Sequence, residues 1–382
     1  MKILVLGGYG NFGTRICRAL ALDTSLQLLI GGRDVQRACA LAEELGPQVS
    51  GVAVDLEAPG LSHTLQHLGI ELLIHTAGPF QQQGYAVARA AAEAGAHYID
   101  LSDGRRFVCD FPQAMDAPFR ASGRLAVCGA STVPALSSAV VDHLCLGWKQ
   151  IDTVDICIAP AQTAPRGRAT LAAVLNYCGE AIPTWNGGHW VPQLGWAQPT
   201  RVEFARMKPR LGALCDIPDL ELFPTRYHIS DRMMFRAALE IGLAQRGFAV
   251  LATLRRTGIL KQPWRLAGFL NQAAKALDGF GSALGGMVVR VAGLDASGRA
   301  TRRAWHIAAD DDHGPEIPCM AAILVARKLA ANALPHTGAT ACMGLLTLAE
   351  FAPEFARWGM VTDIVEEATA PTPPPSRRPV TP

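Results

Sequence analysis

The chain opens with a short apolar run, KILVLG, that leads into a glycine-rich segment and then into the amphipathic stretch TRICRALAL. The glycines fall at Gly8, Gly10 and Gly13, which is the spacing G-x-G-x-x-G. In this strand–turn–helix context the three glycines allow a tight turn, backbone approach to a pyrophosphate, and close helix–strand packing. We therefore predict that dinucleotide phosphates bind at the N-terminus of the first helix. The predicted contacts are Gly8, Tyr9, Gly10, Asn11, Phe12 and Gly13.

Short apolar runs continue to alternate with Ala-rich amphipathic segments as far as residue 130, in the order KILVLG, LQLLIG, SGVAVD, ELLIHT, HYIDL and RLAVCG. Such alternation is typical of βαβ units and a parallel sheet. The runs are almost continuously apolar, which indicates helices on both sheet faces. We predict an α/β fold, a Rossmann-type doubly wound parallel sheet. This context favours dinucleotide binding over a glycine-rich turn in an inert domain.

The end of the second predicted strand bears on the choice of cofactor. NAD-binding domains place a carboxylate there, on the ribose 2′-hydroxyl, whereas Arg33 occupies this position in LLIGGRD. A guanidinium can pair with a 2′-phosphate, so NADP(H) is favoured over NAD. Asp34 competes for this position but is better placed as a helix N-cap. Asp55, after the third strand, either faces the adenine or caps a turn.

The fourth and fifth strands end on the same rim of the predicted sheet, where ligands of open α/β sheets bind. The fourth strand leads into Ala77-Gly78-Pro79-Phe80, a rigid turn expected beside the nicotinamide half of the cofactor. After the fifth strand, Asp100 and Asp103 are the nearest titratable groups, and we take them as catalytic candidates. The alternative is that both form turns or caps. His75, within an apolar strand, is expected to be a core residue.

The pattern changes after Val140, and all seven tryptophans lie at Trp148 or later. Strand-like runs are joined here by longer segments that contain Gly and Pro, and VVRVAGLDASGRATRRAWHIAA predicts a hairpin. We expect an α+β domain with a mixed or antiparallel sheet covered on one face. The Pro-rich end, residues 368–382, is predicted to be disordered.

Two arginines of this second part, Arg166 and Arg168, precede a predicted helix. They are candidates for binding a substrate carboxylate or phosphate, and a solvated loop is the alternative. No metal site is predicted, because the ten cysteines form no CxxC pair and no HExxH motif occurs.

The segments GGYGNFG, AGPF, GYAVARAAAEAGAHYIDLSDG and GATACMGLLTLAEF resemble the saccharopine dehydrogenase-like (saccharopine reductase-type) family. The resemblance is best over residues 1–135. It implies a nucleotide domain completed by a late helix, an inserted α+β domain on a mixed sheet, and NADP-linked chemistry on an amino-acid-like carbon–nitrogen bond. The expected domains are 1–135 with 316–360 for the cofactor, and 136–315 for substrate binding and dimerisation.

Composition bounds the partners. Lys plus Arg number 35 and Asp plus Glu 33, so no nucleic-acid partner is expected. No apolar run is long enough to span a membrane. Scattered cysteines in a long chain are typical of a reduced, cytoplasmic protein. A homodimer is the expected assembly.

Together these features predict an NADP-dependent oxidoreductase acting on a C=N/C–N or C=O group of a small amino-acid-related substrate. Two alternatives remain. One is a non-catalytic NADP-binding sensor or interaction protein, since no clear proton donor lies on the rim. The other is a trans-acting enoyl or keto reductase partner that works on a carrier- or lipid-linked substrate.

Overall fold

The structure, a computed structural model, describes residues 1–165, 168–334 and 336–367; the tail predicted over 368–382 lies outside them. The strands are β1 Lys2–Leu6, β2 Gln27–Gly32, β3 Val49–Ala53, β4 Leu72–His75, β5 His97–Asp100, β6 Leu125–Cys128, β7 Gln150–Ala159, β8 Ala181–Asn186, β9 His189–Leu194, β10 Thr200–Val202, β11 Arg210–Leu214, β12 Arg232–Leu239, β13 Gly285–Leu294, β14 Ala300–Ala309, β15 Gly338–Ala341 and β16 Val361–Glu366. The helices are α1 Asn11–Leu20, α2 Val35–Leu45, α3 Leu61–His67, α4 Ala86–Glu93, α5 Arg105–Ala121, α6 Ser137–Leu144, α7 Arg168–Asn176, α8 Asp219–Arg226, α9 Gly242–Arg256, α10 Ala267–Ala276, α11 Ile317–Ala330 and α12 Leu348–Arg357.

The first sheet has seven parallel strands in the order β15-β6-β5-β4-β1-β2-β3. The chain moves outward from β1 in one direction through β2 and β3, and then in the other through β4, β5 and β6. This reversal creates the crevice in which doubly wound folds bind ligands, beyond the carboxyl ends of β1 and β4. The predicted Rossmann-type fold is confirmed.

Side chains of β1 alternate between two separate cores. Ile3 and Val5 belong to a core with α1, α2 and α11, whereas Leu4 and Leu6 belong to a core with α3, α4 and α5. All four are almost fully buried. Burial on both faces explains why the parallel strands are apolar throughout their length.

Late segments of the chain complete both sheets. Helix α11 packs against α1, and β15 then pairs with β6 as the seventh strand of the first sheet. The chain returns afterwards to the second sheet, where β16 pairs with β14. The sequence did not predict β15, because four small residues, GATA, carry no apolar alternation.

The second sheet is mixed. Its main path is β10-β11-β12-β7-β13-β14-β16, and the hairpin β8–β9 joins it at β12. Only β7 and β12 among the strands of this path pair in parallel. The predicted hairpin is present: β13 and β14 pair antiparallel around Asp295, whose carboxylate accepts the backbone N–H of Ser297 and Arg299.

One face of this second sheet is buried. Val289, Trp305 and Ile307 extend the core that contains α11, and α6 packs on β13 and β14. The opposite face carries charged side chains, including Asp155 and Arg290, around a small apolar cluster. The two domains therefore share a continuous core.

A buried hydrogen bond joins α6 to α8. The Ser137 hydroxyl donates to the Asp219 carboxylate at 2.5 Å, and both side chains are fully buried. Burial raises the pKa of Asp219 to about 7, although the hydrogen bond from Ser137 opposes the rise. The carboxyl therefore keeps its proton in the folded protein at pH values where it is ionised in the unfolded chain.

Asp219→Asn should change how stability depends on pH. Between about pH 4 and pH 7 the native Asp219 binds a proton that the unfolded chain releases, so the wild type loses roughly 1.4 kcal/mol per pH unit from this group as pH rises. Asparagine does not titrate, so the variant should gain on the wild type over this window and not above it. Urea unfolding from pH 4 to 8 measures the difference. A constant difference, as expected for the exposed control Asp231→Asn, would contradict the assignment.

Candidate functional site

The phosphate loop is built by close backbone contacts. Gly7 turns the chain with φ of +82°, so the left-handed residue is Gly7 rather than Gly8, to which the sequence assigned the turn. A Cβ on Gly8 would lie 2.8 Å from the Val5 carbonyl, and one on Gly13 would lie 2.3 Å from the Gly7 carbonyl. These contacts exclude side chains and bring the first turn of α1 directly over the end of β1.

The N-terminus of α1 is free to bind an anion. Its N-cap is Gly10, which makes no side-chain cap, and no acidic residue lies in the first turn. The first N–H groups of any helix lack partners within the helix and carry its positive dipole end. A cradle of backbone with no room for side chains, closed by open N–H groups, fits the pyrophosphate of a dinucleotide.

Two arginines flank the end of β2. Arg33 is exposed just beyond the strand, and Asp34 caps α2 by accepting the Arg37 N–H at 3.1 Å. The Arg37 guanidinium lies 4.8 Å from the centre of the Tyr9 ring, and the Tyr9 hydroxyl accepts the Asp34 N–H. Within the described chain neither arginine forms an ion pair. Sequence reasoning missed Arg37, because only the fold brings a residue of α2 against the phosphate loop.

Asp55 forms a turn. Its carboxylate accepts the Glu57 N–H at 3.1 Å while the side chain stays exposed, which is the cap geometry that the sequence left open as an alternative. A groove of about 710 Å³ begins at the next residue, Leu56, and continues between α3 and α4.

The turn after β4 lies against the phosphate loop. A Cβ on Gly7 would meet the Thr76 hydroxyl at 2.9 Å and the Ala77 nitrogen at 3.1 Å. The Gln83 amide fixes the turn by donating to the carbonyls of Ala77 and Pro79, at 2.8 and 3.1 Å.

Behind this turn, the Phe80 ring packs edge-on against the His75 ring, with ring centres 4.9 Å apart. His75 is buried and bonds the Tyr98 hydroxyl, and burial lowers its pKa to about 4, as expected of a core histidine. The Phe80 side chain is itself buried, so it supports the Ala77–Pro79 turn from within.

Asp100 holds the rim together. One carboxylate oxygen accepts the N–H groups of Ser102 and Gly129, at 2.9 and 2.8 Å, and so ties the ends of β5 and β6. The side chain is fully buried, and burial raises its pKa to about 6 against the opposing effect of those hydrogen bonds. These contacts are those of a positioning residue.

Asp103 instead lies where the two domains meet, close enough for its charge to act on Tyr177 and Cys215 of the second domain, and we call this interdomain region the cleft. Solvent reaches its carboxylate, which accepts a hydrogen bond from Gln81 at 3.1 Å. Desolvation by the surrounding protein raises its pKa, and the Gln81 bond opposes the rise. Asp103 is therefore the rim carboxylate that can contact a ligand.

Two residues of the second domain, Tyr177 and Cys215, are near enough to Asp103 for its charge to act on them. The Tyr177 hydroxyl and the Cys215 thiol are 2.9 Å apart. Burial raises the pKa of both, to about 12 for Cys215, and the charge of Asp103 raises both further. Both groups therefore stay protonated at neutral pH. Neither was singled out from the sequence, since each lies in a local pattern typical of core residues.

Arg105 joins the domains beside this cleft. Its buried guanidinium donates to Asp216 at 3.1 Å, to Glu221 at 2.9 Å and to the Pro183 carbonyl at 2.9 Å. Asp216 directly follows Cys215, so Arg105 fixes the strand end that carries the thiol.

The second domain also contains a tryptophan pair and the two arginines that the sequence proposed for substrate binding. Trp185 and Trp190 form a cross-strand pair on the β8–β9 hairpin, with ring centres 5.3 Å apart. Arg166 lies outside the described residues, and of Arg168 only the backbone, at the start of α7, is described. Over the described ranges no three His, Cys, Asp or Glu side chains are grouped as a metal site, and no helix there is long and apolar enough to cross a membrane.

The fold and the loop define the class: a Rossmann-type dinucleotide-binding protein with an inserted mixed-sheet domain. Residues 3–127 match the family described as the saccharopine dehydrogenase NADP binding domain. The resemblance drawn from the sequence is therefore confirmed over the first domain, where about a third of the chain matches this family's NADP-binding domain.

Similar proteins agree on the fold. Saccharopine dehydrogenase (L-Glu forming) from Saccharomyces cerevisiae superposes with a TM-score of 0.67 at 11% identity, covering 96% of this chain and 100% of that one. Homospermidine synthase from Legionella pneumophila, solved with NAD, gives 0.62 at 10% identity, covering 100% of this chain and 94% of that one. These matches show that the fold is that of saccharopine dehydrogenase.

One curated relative is similar in sequence. A trans-acting enoyl reductase of Mycobacterium ulcerans (strain Agy99) is 29% identical over 154 residues, which cover 37% of this chain and 35% of that protein. The chain thus matches about a third of that relative's length.

Replacing Arg105 should weaken the junction between the domains. Arg105→Met leaves Asp216 and Glu221 without their shared buried cation, so we expect a loss of roughly 2–3 kcal/mol in unfolding free energy. The matched control is Arg106→Met, because exposed Arg106 also pairs with Glu221 and should cost about 1 kcal/mol or less. Urea denaturation measures both. Equal losses for the two variants would show that Arg105 has no special role.

Proposed function

We propose that this protein is an NADP-dependent oxidoreductase that reduces a C=N or C=O group of a small amino-acid-related substrate, or runs the reverse reaction. The observation that carries the proposal is the grouping of Asp103, Tyr177 and Cys215 in the cleft beyond the ends of β4 and β5. In doubly wound folds the reactive half of the cofactor lies on this side of the switch point. Bound NADPH would supply the hydride.

The cleft residues supply the proton. Tyr177 carries its proton at neutral pH, as any phenol does, and its hydroxyl lies 2.9 Å from the Cys215 thiol, which fixes its position. As a hydride adds to carbon, the Tyr177 hydroxyl gives its proton to the substrate nitrogen or oxygen. Solvent-accessible Asp103 then returns a proton from water to the phenolate. Asp100 acts at a distance, by holding the rim loops in place.

The substrate's own charge needs a separate partner. The Arg105 guanidinium is already taken by two carboxylates, so it is not available to a substrate acid. We retain Arg166 and Arg168 for that role, since Arg166 precedes α7 in the sequence and Arg168 is its first residue, and this helix ends just before Tyr177.

The cofactor contacts follow the loop geometry. The Gly8–Gly13 loop would hold the pyrophosphate, with Ala77, Gly78, Pro79 and Phe80 forming the turn beside the nicotinamide half. Asp55 would border the adenine, next to the groove that begins at Leu56. Arg33, joined by Arg37, would bind the 2′-phosphate and so favour NADP(H) over NAD.

A second candidate function is that of a trans-acting enoyl or keto reductase partner on a carrier- or lipid-linked substrate. The sequence similarity to the mycobacterial trans-acting enoyl reductase favours it. A keto group would be reduced by the same step, whereas on an enoyl group the hydride would add to the β-carbon and the proton to the α-carbon. A third hypothesis is a non-catalytic NADP sensor, and an absence of turnover would support it.

We also infer a cytoplasmic homodimer. All ten cysteines are free, which suits a reducing compartment. The edge strand β16 exposes Val361, Ile364 and Val365, which would suit pairing across a twofold axis through the second sheet.

Arg33→Ala should remove discrimination between the two cofactors. Losing a charged hydrogen-bond partner of the 2′-phosphate is expected to weaken NADPH binding about 10- to 100-fold and leave NADH binding unchanged. Fluorescence titration with both cofactors measures this, and Arg37→Ala should act in the same direction. Arg18→Ala, which removes an exposed arginine of α1, is the control. An unchanged NADPH-to-NADH ratio in Arg33→Ala would refute the 2′-phosphate role.

Turnover tests the reaction itself. Oxidation of NADPH is followed over a panel of keto acids with amino donors and of small enoyl and carbonyl thioesters. On any active substrate, Tyr177→Phe should lower kcat about 10²–10⁴-fold while the Kd for NADPH stays constant. The control Tyr227→Phe removes a buried hydroxyl that bonds the Ser138 carbonyl instead. Tight NADPH binding without turnover on any substrate would overturn the enzymatic proposal, and full activity of Tyr177→Phe would overturn the proton donor.

A further inference from the structure

One helical excursion of the second domain differs in surface chemistry from the rest of the protein. It spans residues 242–280, between β12 and β13, and we call it the helical layer. Of the thirteen large apolar side chains exposed on the described surface, five lie in these 39 residues. They are Leu243, Val250, Ile259, Phe269 and Phe280, with exposures of 76%, 58%, 75%, 72% and 83%.

These side chains are exposed although the helices have a proper buried face. On α9, Gln245 and Ala252 are buried, and the ring of Phe248 lies against that of Trp196, with ring centres 4.7 Å apart. Leu243 and Val250 lie two turns apart on the opposite face, with exposed Arg246 between them. Leu243 and Val250 therefore take no part in packing α9 on the domain, because the residues that do so lie on its other face.

The layer is anchored as one body. Arg255 donates to the carbonyls of Asn176 and Cys178, at the end of α7, and lies 5.6 Å from the Trp264 ring. Helix α10 packs on α7 and on the turn Pro263–Leu266. The exposed side chain of Phe269 on α10 is therefore carried by a helix that is packed against its neighbours.

The charge of the layer has one sign. Residues 242–280 contain six basic residues and one acidic residue, a formal charge of +5, whereas the whole chain carries +2. The basic side chains exposed here are Arg246, Arg256, Lys261, Arg265 and Lys275. Among the described residues none of these five forms an ion pair with a carboxylate. The remainder of the chain is therefore net acidic.

We propose that the helical layer is a docking surface for an anionic lipid bilayer. Exposed apolar side chains enter the boundary between headgroups and acyl chains, and neighbouring Lys and Arg side chains reach the phosphates, which is how helices bind in the plane of a membrane. Several basic residues within a Debye length of an anionic surface add to the attraction. The layer binds the surface and does not span it.

The same charge disfavours a second copy of the layer as the occupant. A second copy of the layer would bring two +5 surfaces together, and the repulsion would oppose burial of the apolar residues. An acidic protein could also bind this surface. The vesicle experiment tests the lipid alone, because its vesicles contain no partner protein. The inference itself does not depend on the proposed reaction.

Cosedimentation of the full-length protein with vesicles tests this proposal. Vesicles of phosphatidylcholine mixed with phosphatidylglycerol should retain the wild type at low salt and release it at high salt, while pure phosphatidylcholine should retain little. Phe269→Asp and Phe280→Asp should each lower the bound-to-free ratio about 10-fold or more, since each loses a large apolar contact and adds a repelled charge. Lys261→Glu combined with Lys275→Glu should weaken binding to anionic vesicles in particular.

Leu146→Asp is the matched control, since Leu146 is as exposed as Phe280, at 83%, but lies outside the layer. Its vesicle binding should equal that of the wild type. Because all the changed side chains are exposed, each variant should fold. NADPH titration and the midpoint of urea unfolding check this. No binding to anionic vesicles would overturn the proposal, and so would binding that Phe269→Asp and Phe280→Asp leave unchanged. A concentration-dependent dimer that Phe269→Asp abolishes, without vesicle binding, would instead identify a second copy as the occupant.

Discussion

The contact between Gly13 and the Gly7 carbonyl is the constraint from which the site follows. A Cβ at Gly13 would lie 2.3 Å from that oxygen, so only glycine allows α1 to begin directly above β1. This position aims the open N–H groups of the helix at the crevice. The turn at Thr76 and Ala77 packs against the same loop, so the direction of α1 also fixes where a cofactor can extend across the rim.

The second domain is then placed by polar contacts buried at the junction. Arg105, at the start of α5 in the first domain, holds Asp216 and Glu221 of the second domain, which are distant from it in the chain. Buried charges tolerate little misalignment, because each needs its partner at hydrogen-bond distance. The geometry of the cleft, with Asp103 on one side and Tyr177 on the other, is therefore set by the junction rather than by the cleft residues themselves.

The near-neutral charge of the chain conceals an uneven distribution. A net charge of +2 argues against a polybasic protein when it is read globally, yet residues 242–280 alone carry +5. Electrostatic attraction to a surface acts over about a Debye length, so a local patch decides binding and the total does not. The net charge of a whole chain therefore does not report a local patch of this kind.

The phosphate loop, the alternating strands and the order of the first domain could be read from the sequence, because glycine spacing and apolar periodicity are local consequences of backbone geometry. The roles of Asp100 and Asp103 could not be told apart, since both occupy one loop, and only the fold buries the first against Gly129 and leaves the second open to the cleft. Likewise β15, Arg37 and the Tyr177–Cys215 pair depend on contacts between distant segments. The sequence by itself determined what kind of ligand the first domain takes. Only the tertiary structure decided which side chains come together near the rim of the first sheet, because proximity across the chain is fixed by packing and not by local pattern.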